Sequence, residues 1–240
     1  METVVLYSFT GGDDGGFPLA GVIRDSAVNL YGTTDRGGAY WYHPHVHGLT
    51  ESAVQGGASG AIVVEGIQSL QPGLVGLPER VLVIRDQVLP SGSSATAAGE
   101  PPAWEVSIKY VPIPYPSYPP AVLEMKPEQK QFWRVLNASA DTIIDLQLQY
   151  DHVPQILQLA ALDGVPVDSQ DGTAQGKLIP KTDILLPPAG RAEFIVTGPS
   201  ATVQQAILET SQGRSGASRP PSVVATARVR MGMRAAEGAR

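Results

Sequence analysis

Ile144, Leu146, Leu148 and Tyr150 alternate with Asp145, Gln147 and Gln149. Side chains two apart share a face on an extended backbone, so this stretch reads as a half-buried antiparallel strand. It stands in a series of similar apolar runs at residues 81–84, 122–125, 131–136, 142–150, 156–162, 183–186, 191–196 and 203–209, with turn residues between them. The 26 glycines and 21 prolines punctuate these runs, and apolar residues at helical spacing are scarce. The pattern predicts an all-β chain folded as a Greek-key sandwich or barrel.

The 240 residues allow one large domain or two of ordinary size, and 42% apolar against 17% charged residues is a globular balance. A formal net charge of -6 gives no reason to expect nucleic acid or an anionic membrane as a partner. There are no cysteines. Disulfides, zinc–cysteine sites, iron–sulfur clusters, a cysteine nucleophile and a type 1 blue copper centre are therefore excluded. No apolar run approaches the length of a membrane span. The opening METVVLYSFTGGDDGG has neither the basic region nor the apolar region of a signal peptide, which at face value places the chain in the cytoplasm unless its true start lies upstream.

Four segments differ in character. Residues 1–38 alternate short strand patterns with Gly/Asp turns, the size of one unit of a β-repeat protein. Residues 39–79 contain an aromatic and histidine run, a Gly/Ala/Ser-rich stretch, the apolar strand at 61–65, and a Gly/Pro/Gln connector that makes a plausible boundary. Residues 80–210 hold most of the strands, with proline-rich loops at 90–103 and 111–120. Residues 211–240 carry six arginines against one glutamate among Ser, Gly, Ala and Pro, the composition of a basic and mostly disordered tail.

Three of the four histidines fall within five residues, at His43, His45 and His47. On a strand they would present three imidazoles along one side, and imidazole ligates copper, zinc, iron and nickel. Histidines that hold no metal are the alternative. Glu51 is the one acidic residue near the triplet, and as an exposed side chain it reads as solvated. His152 reads as a turn residue facing solvent or packed in a loop, and Asp163 as an exposed turn residue rather than a catalytic acid.

The run YWYHPHVHG, its Ala/Gln/Gly-rich continuation from Ser52 to Gly60, and AIVVEG resemble the second copper motif of laccase-like multicopper oxidases. Arg134, Leu136, Asn137 and Ala138 match a second-domain sequence of that family, as do the stretches LDGVP and LPPAGRAEF at residues 162–166 and 186–194. The resemblance covers about residues 39–209. It implies a cupredoxin-like Greek-key β-sandwich, with the end of a first domain at 39–79 and a near-complete second domain at 80–210. It also implies copper as cofactor, with His43 and His45 as type 3 ligands, while His47 lies just outside the match. Residues 1–38 look like one unit of the bacterial GloVer tandem repeat, which implies no known chemistry.

A working multicopper oxidase draws its trinuclear cluster from four histidine motifs and needs a cysteine for its type 1 copper. This chain has one motif and no cysteine, so by itself it should not reduce oxygen. If copper binds, the resemblance leaves the missing ligands to another chain. The competing reading is a non-catalytic β-sandwich or β-repeat interaction protein that binds no metal. Members of the family are usually exported, whereas no signal peptide is present. The departures at both ends suggest a gene fusion, a truncated gene or an assembly artefact. A first domain cut to its last strands would leave an unpaired sheet edge, which the repeat-like strands fill unless that region is disordered.

Overall fold

A computed structural model describes residues 23–24, 30–33, 37–88, 104–108, 111–113, 120–140, 142–167, 176–212 and 223–231. The first strands are β1 (Ile23–Arg24), β2 (Leu30–Thr33), β3 (Gly38–Tyr42) and β4 (Gly60–Glu65), with helix α1 (Thr50–Gln55) between the last two. Helix α2 (Ile67–Leu70) leads to β5 (Glu79–Val88), β6 (Trp104–Ile108), β7 (Val111–Ile113), β8 (Ala121–Met125) and β9 (Lys130–Asn137). Next come β10 (Ile144–Tyr150), β11 (Val153–Pro154), β12 (Leu157–Leu162), β13 (Val165–Pro166) and β14 (Ile179–Lys181). The chain continues through β15 (Ile184–Leu186), β16 (Arg191–Thr197), β17 (Ala206–Gln212) and β18 (Val223–Met231).

Two large sheets face each other. One runs β13-β12-β16-β9-β5-β6-β7 with β14 beside β12, and the other runs β11-β10-β17-β18-β8 with β15 beside β10. Most pairs are antiparallel, but β5 lies parallel to β9 and β18 parallel to β8. Such parallel pairs between strands far apart in sequence mark crossed Greek-key connections rather than a plain meander. The core between the sheets takes Leu82, Trp133, Leu157 and Phe194 from one side and Leu123, Leu146, Leu148 and Leu208 from the other. The alternation read at residues 144–150 is realised, with all four apolar residues of β10 buried and the polar ones between them half-buried.

Turn chemistry fixes the register of two hairpins. Asp163 and Gly164 form the two-residue loop between β12 and β13, with φ of 51° and 78°. Asp151 and His152 do the same between β10 and β11, with φ of 46° and 67°. Positive φ at both central residues gives the twist that matches right-handed strands. His152 and Asp163 are thus exposed turn residues, as the sequence reading had them.

A smaller sheet, β1-β2-β4-β3, packs against the outer face of the first large sheet. This contact explains β9, in which every residue after Lys130 is buried. Trp133 and Val135 face the inter-sheet core, while Leu136 and Ala138 meet Ala61, Val83 and Trp41. Arg134 is buried with them and must be paired. Its guanidinium meets Glu79 at 2.7 Å and Glu193 at 2.5 Å, and the other Glu193 oxygen accepts the Ala39 amide at 2.9 Å. Burial pushes the Glu193 carboxyl above the usual carboxylate range, against the opposing pull of Arg134. Asn137 completes the motif by donating to the Thr142 and Leu186 carbonyls at 2.7 and 3.0 Å.

The glycines at the start of β3 serve this contact. A Cβ at Gly38 would stand 2.6 Å from the Gly164 Cα, and one at Gly37 would stand 2.1 Å from the Ile67 nitrogen. The pair therefore lets β3 pass against the β12–β13 turn and the start of α2.

Three expectations change. The basic segment is not disordered throughout, because β18 lies within it and joins β17 to β8. Its sequence alternates Ala225, Ala227, Val229 and Met231 with Thr226, Arg228 and Arg230, a period-two signal that the arginine count obscured. Residues 50–55 form a short helix, whereas the Ala/Gln/Gly-rich stretch from Ser52 to Gly60 reads as a turn in the sequence. Part of the proline-rich loop at 111–120 is the short strand β7. The strand pattern at residues 4–9 lies outside the described residues, whereas β2 pairs in parallel with β4 and extends the small sheet.

Replacing Glu193 by alanine would leave the Ala39 amide unsatisfied and remove one of the two carboxylates around a buried guanidinium. Glu193→Ala is expected to cost about 3–5 kcal/mol in urea unfolding, and Glu193→Gln, which keeps an acceptor, distinctly less. A loss under about 1 kcal/mol for the alanine variant would contradict the structural importance given to this contact.

Candidate metal centre

Strand β3 ends at Tyr42, so the histidines do not lie along a strand as the spacing suggested. They follow it on residues 43–47 in an irregular segment that turns at Gly48 into α1. Both ends of the segment are held. On one side β3 pairs with β4, from Gly38↔Val64 to Tyr42↔Gly60. On the other, Val54 of α1 is buried, and the buried Arg85 donates to the Gly57 and Ser59 carbonyls at 3.0 and 2.6 Å. Within the segment the Val46 carbonyl accepts the Leu49 and Thr50 amides at 3.0 and 3.1 Å. The sequence reading did not assign Arg85 a role, although a charged pair, Arg85-Asp86, at the end of an apolar strand signals a buried polar contact.

The rings form a row. Trp41 stacks on His43 with centroids 4.1 Å apart and an interplanar angle of 18°. His43 meets His45 edge-on at 5.2 Å, and His45 meets His47 edge-on at 6.3 Å. His43 is half-buried, while His45, His47, Val46 and Leu49 are exposed. Glu51 on α1 is also exposed.

The Nδ1 of His43 lies 3.0 Å from the Pro44 carbonyl oxygen. A carbonyl can only accept, so Nδ1 carries the proton and Nε2 keeps its lone pair for a ligand. A metal-ligating imidazole is usually oriented by a carbonyl, carboxylate or water that accepts from its other ring nitrogen. Burial pulls the His43 pKa below its ordinary value of 6.5; the nearby His45 adds to this and the Pro44 hydrogen bond opposes it. Burial and the neighbouring His45 thus favour the neutral imidazole, which is the form that binds metal.

These donors suit copper in kind but are too few for a closed site. Among the described residues no three His, Cys, Asp or Glu side chains stand where they could together hold an ion. No helix among them is long and apolar enough to cross a membrane.

No protein-family model and no curated protein matches the chain. Solved structures do. The chain is similar to the 2F4 variant of the McoA multicopper oxidase from Aquifex aeolicus, with a TM-score of 0.64 and 20% identity over 85% of this chain and 44% of that one. It is similar to a multicopper oxidase from Campylobacter jejuni described as a metallo-oxidase, at 0.57 and 21% over 82% and 38%. A blue copper oxidase from Nitrosomonas europaea gives 0.56 and 17% over 82% and 57%. The fold is the cupredoxin-like β-sandwich of multicopper oxidases. At these identities the likeness speaks for the fold, and the chain spans about half the length, or less, of these proteins.

In this cupredoxin-like chain the His43 ring should titrate below the ordinary histidine value, which NMR of its ring protons would report. Because its folded pKa is depressed, neutral His43 stabilises the fold above the free-histidine range, and that contribution is lost as pH falls through the folded value. His45→Ala should move the His43 titration upward by removing a neighbouring positive charge. An unchanged titration in that variant would show that the two rings do not interact.

Proposed function

We propose that the protein is a laccase-type, multicopper oxidase-like copper-binding protein in which His43 and His45 are copper ligands. The observation that carries this reading is the pair of imidazoles at the end of β3, with centroids 5.2 Å apart, on a cupredoxin-like sandwich. The hydrogen bond from His43 Nδ1 to the Pro44 carbonyl supports it by leaving Nε2 as the ligating nitrogen. Bound copper would supply a redox-active centre. What the chain itself contributes is the orientation of His43, through the Trp41 stack and the Pro44 carbonyl, and its neutral imidazole at physiological pH.

The 240 residues contain four histidines and no cysteine. These residues by themselves do not supply the ligands of a type 1 centre or a trinuclear cluster, so the 240 residues alone are not expected to reduce oxygen. The exposed side of the histidine segment is where a second chain could bring further ligands. The exposure of His45 and His47 also suits the second reading, a β-sandwich interaction protein that holds no metal.

Copper content after loading and dialysis separates the two. Near-stoichiometric retention that is lost in the His43→Ala/His45→Ala variant is expected. A wild-type chain that retains no copper while keeping a β-type circular dichroism spectrum would leave the metal-free reading.

A further inference from the structure

We infer that the groove lined by β12, β14 and β15 is a homodimer interface. In it, residues 179–185 meet the same segment of a second copy of this chain, antiparallel about Thr182.

The groove has a volume of about 500 Å³, and Ile156, Leu159 and Leu162 line it together with residues 180–185. Ile156, Leu162 and Leu185 are large apolar side chains left exposed there. Single exposed apolar residues need no explanation, but three that converge on one groove mark a contact surface.

The segment itself points to its occupant. The stretch IPKTDIL is self-complementary about its central threonine. A two-fold axis at Thr182 sets Lys181 of one copy against Asp183 of the other, Pro180 against Ile184, and Ile179 against Leu185. Charge meets opposite charge and apolar meets apolar, each contact made twice, as an isologous interface requires. Lys181 and Asp183 are both exposed, and among the described residues neither is in an ion pair. A partner of one charge sign would satisfy only one of them, whereas a second copy satisfies both.

The backbone favours contact through side chains. β14 pairs with β12 and β15 pairs with β10, so each has one neighbouring strand among the described residues. Pro180 lies within β14 and has no N–H to donate, which blocks growth of that edge by strand addition.

Sedimentation equilibrium of the full chain over a range of concentrations tests the inference. A mass rising with concentration to twice that of the chain is expected. Lys181→Glu and Asp183→Lys would each bring like charges together at both contacts, and should weaken dimerisation at least about tenfold at low salt. The combined variant Lys181→Glu/Asp183→Lys restores opposite charges and should dimerise nearly as the wild type does. Both side chains are exposed, so all three variants should keep the wild-type circular dichroism spectrum. A wild-type chain that stays monomeric would overturn the inference. So would single variants that dimerise like wild type, or a combined variant no better than the single ones.

Discussion

A buried carboxylate ties the small sheet to the sandwich. Glu193 lies in β16, accepts from the Arg134 guanidinium of the adjacent β9, and accepts the Ala39 amide of β3. It thereby links three strands by side-chain contacts at a position from which water is excluded. Its neighbour Arg191 lies on the same junction, where it donates to the Ala39 carbonyl at 3.2 Å and sits over the Tyr40 ring at 5.7 Å. The outer edge of β3 would otherwise offer unpaired backbone groups to any passing strand. At Ala39 both of those groups are taken by side chains of β16, so the edge is closed at that position without a further strand.

The histidine segment inherits its position from this arrangement. β3 delivers Trp41 to the apolar contact with Val83, Leu136 and Ala138, and His43 stacks on the same indole. Burial therefore decreases outward along the segment: the first imidazole meets a ring and a carbonyl, and the next two are exposed. The sandwich holds the two ends of the segment through Glu193 and Arg85, and the segment carries the imidazoles proposed as ligands.

The sequence displayed the sandwich clearly and the site less so, for physical reasons. Period two is strongest where one face is buried and the other wet, as in β10, and there the reading and the structure agree residue by residue. β9 is buried on both faces, so its run shows no alternation, and the buried Arg134 could be recognised as structural only from its partners. β18 was hidden by composition, since six arginines in thirty residues suggest a solvated tail whatever their spacing. The spacing of His43, His45 and His47 correctly grouped the rings, yet it could not show that β3 stops at Tyr42. That endpoint depends on β4, which begins at Gly60, where a Cβ would lie 2.6 Å from the Tyr42 hydroxyl oxygen. The Arg85 clamp is a contact between residues 26 and 28 positions apart, which no local pattern encodes.

The parallel pairing of β2 with β4 bears on how the small sheet exists at all. An isolated hairpin of β3 and β4 would be marginal in water, since two strands bury little apolar surface. A third strand on the far side of β4, together with the Arg191 and Glu193 contacts at β3, gives that hairpin partners on both sides. Val64, on β4, is buried, and Tyr40 and Ile62 pack with it in a small cluster of their own. The segment read as repeat-like thus has a structural place beside the segment read as copper-motif-like, through backbone hydrogen bonds that require no particular side chains. Backbone pairing of this kind is tolerant of sequence, which is why two stretches with unrelated patterns can share one sheet while the specific contacts, at Gly38, Ala39 and Tyr40, all point toward the sandwich.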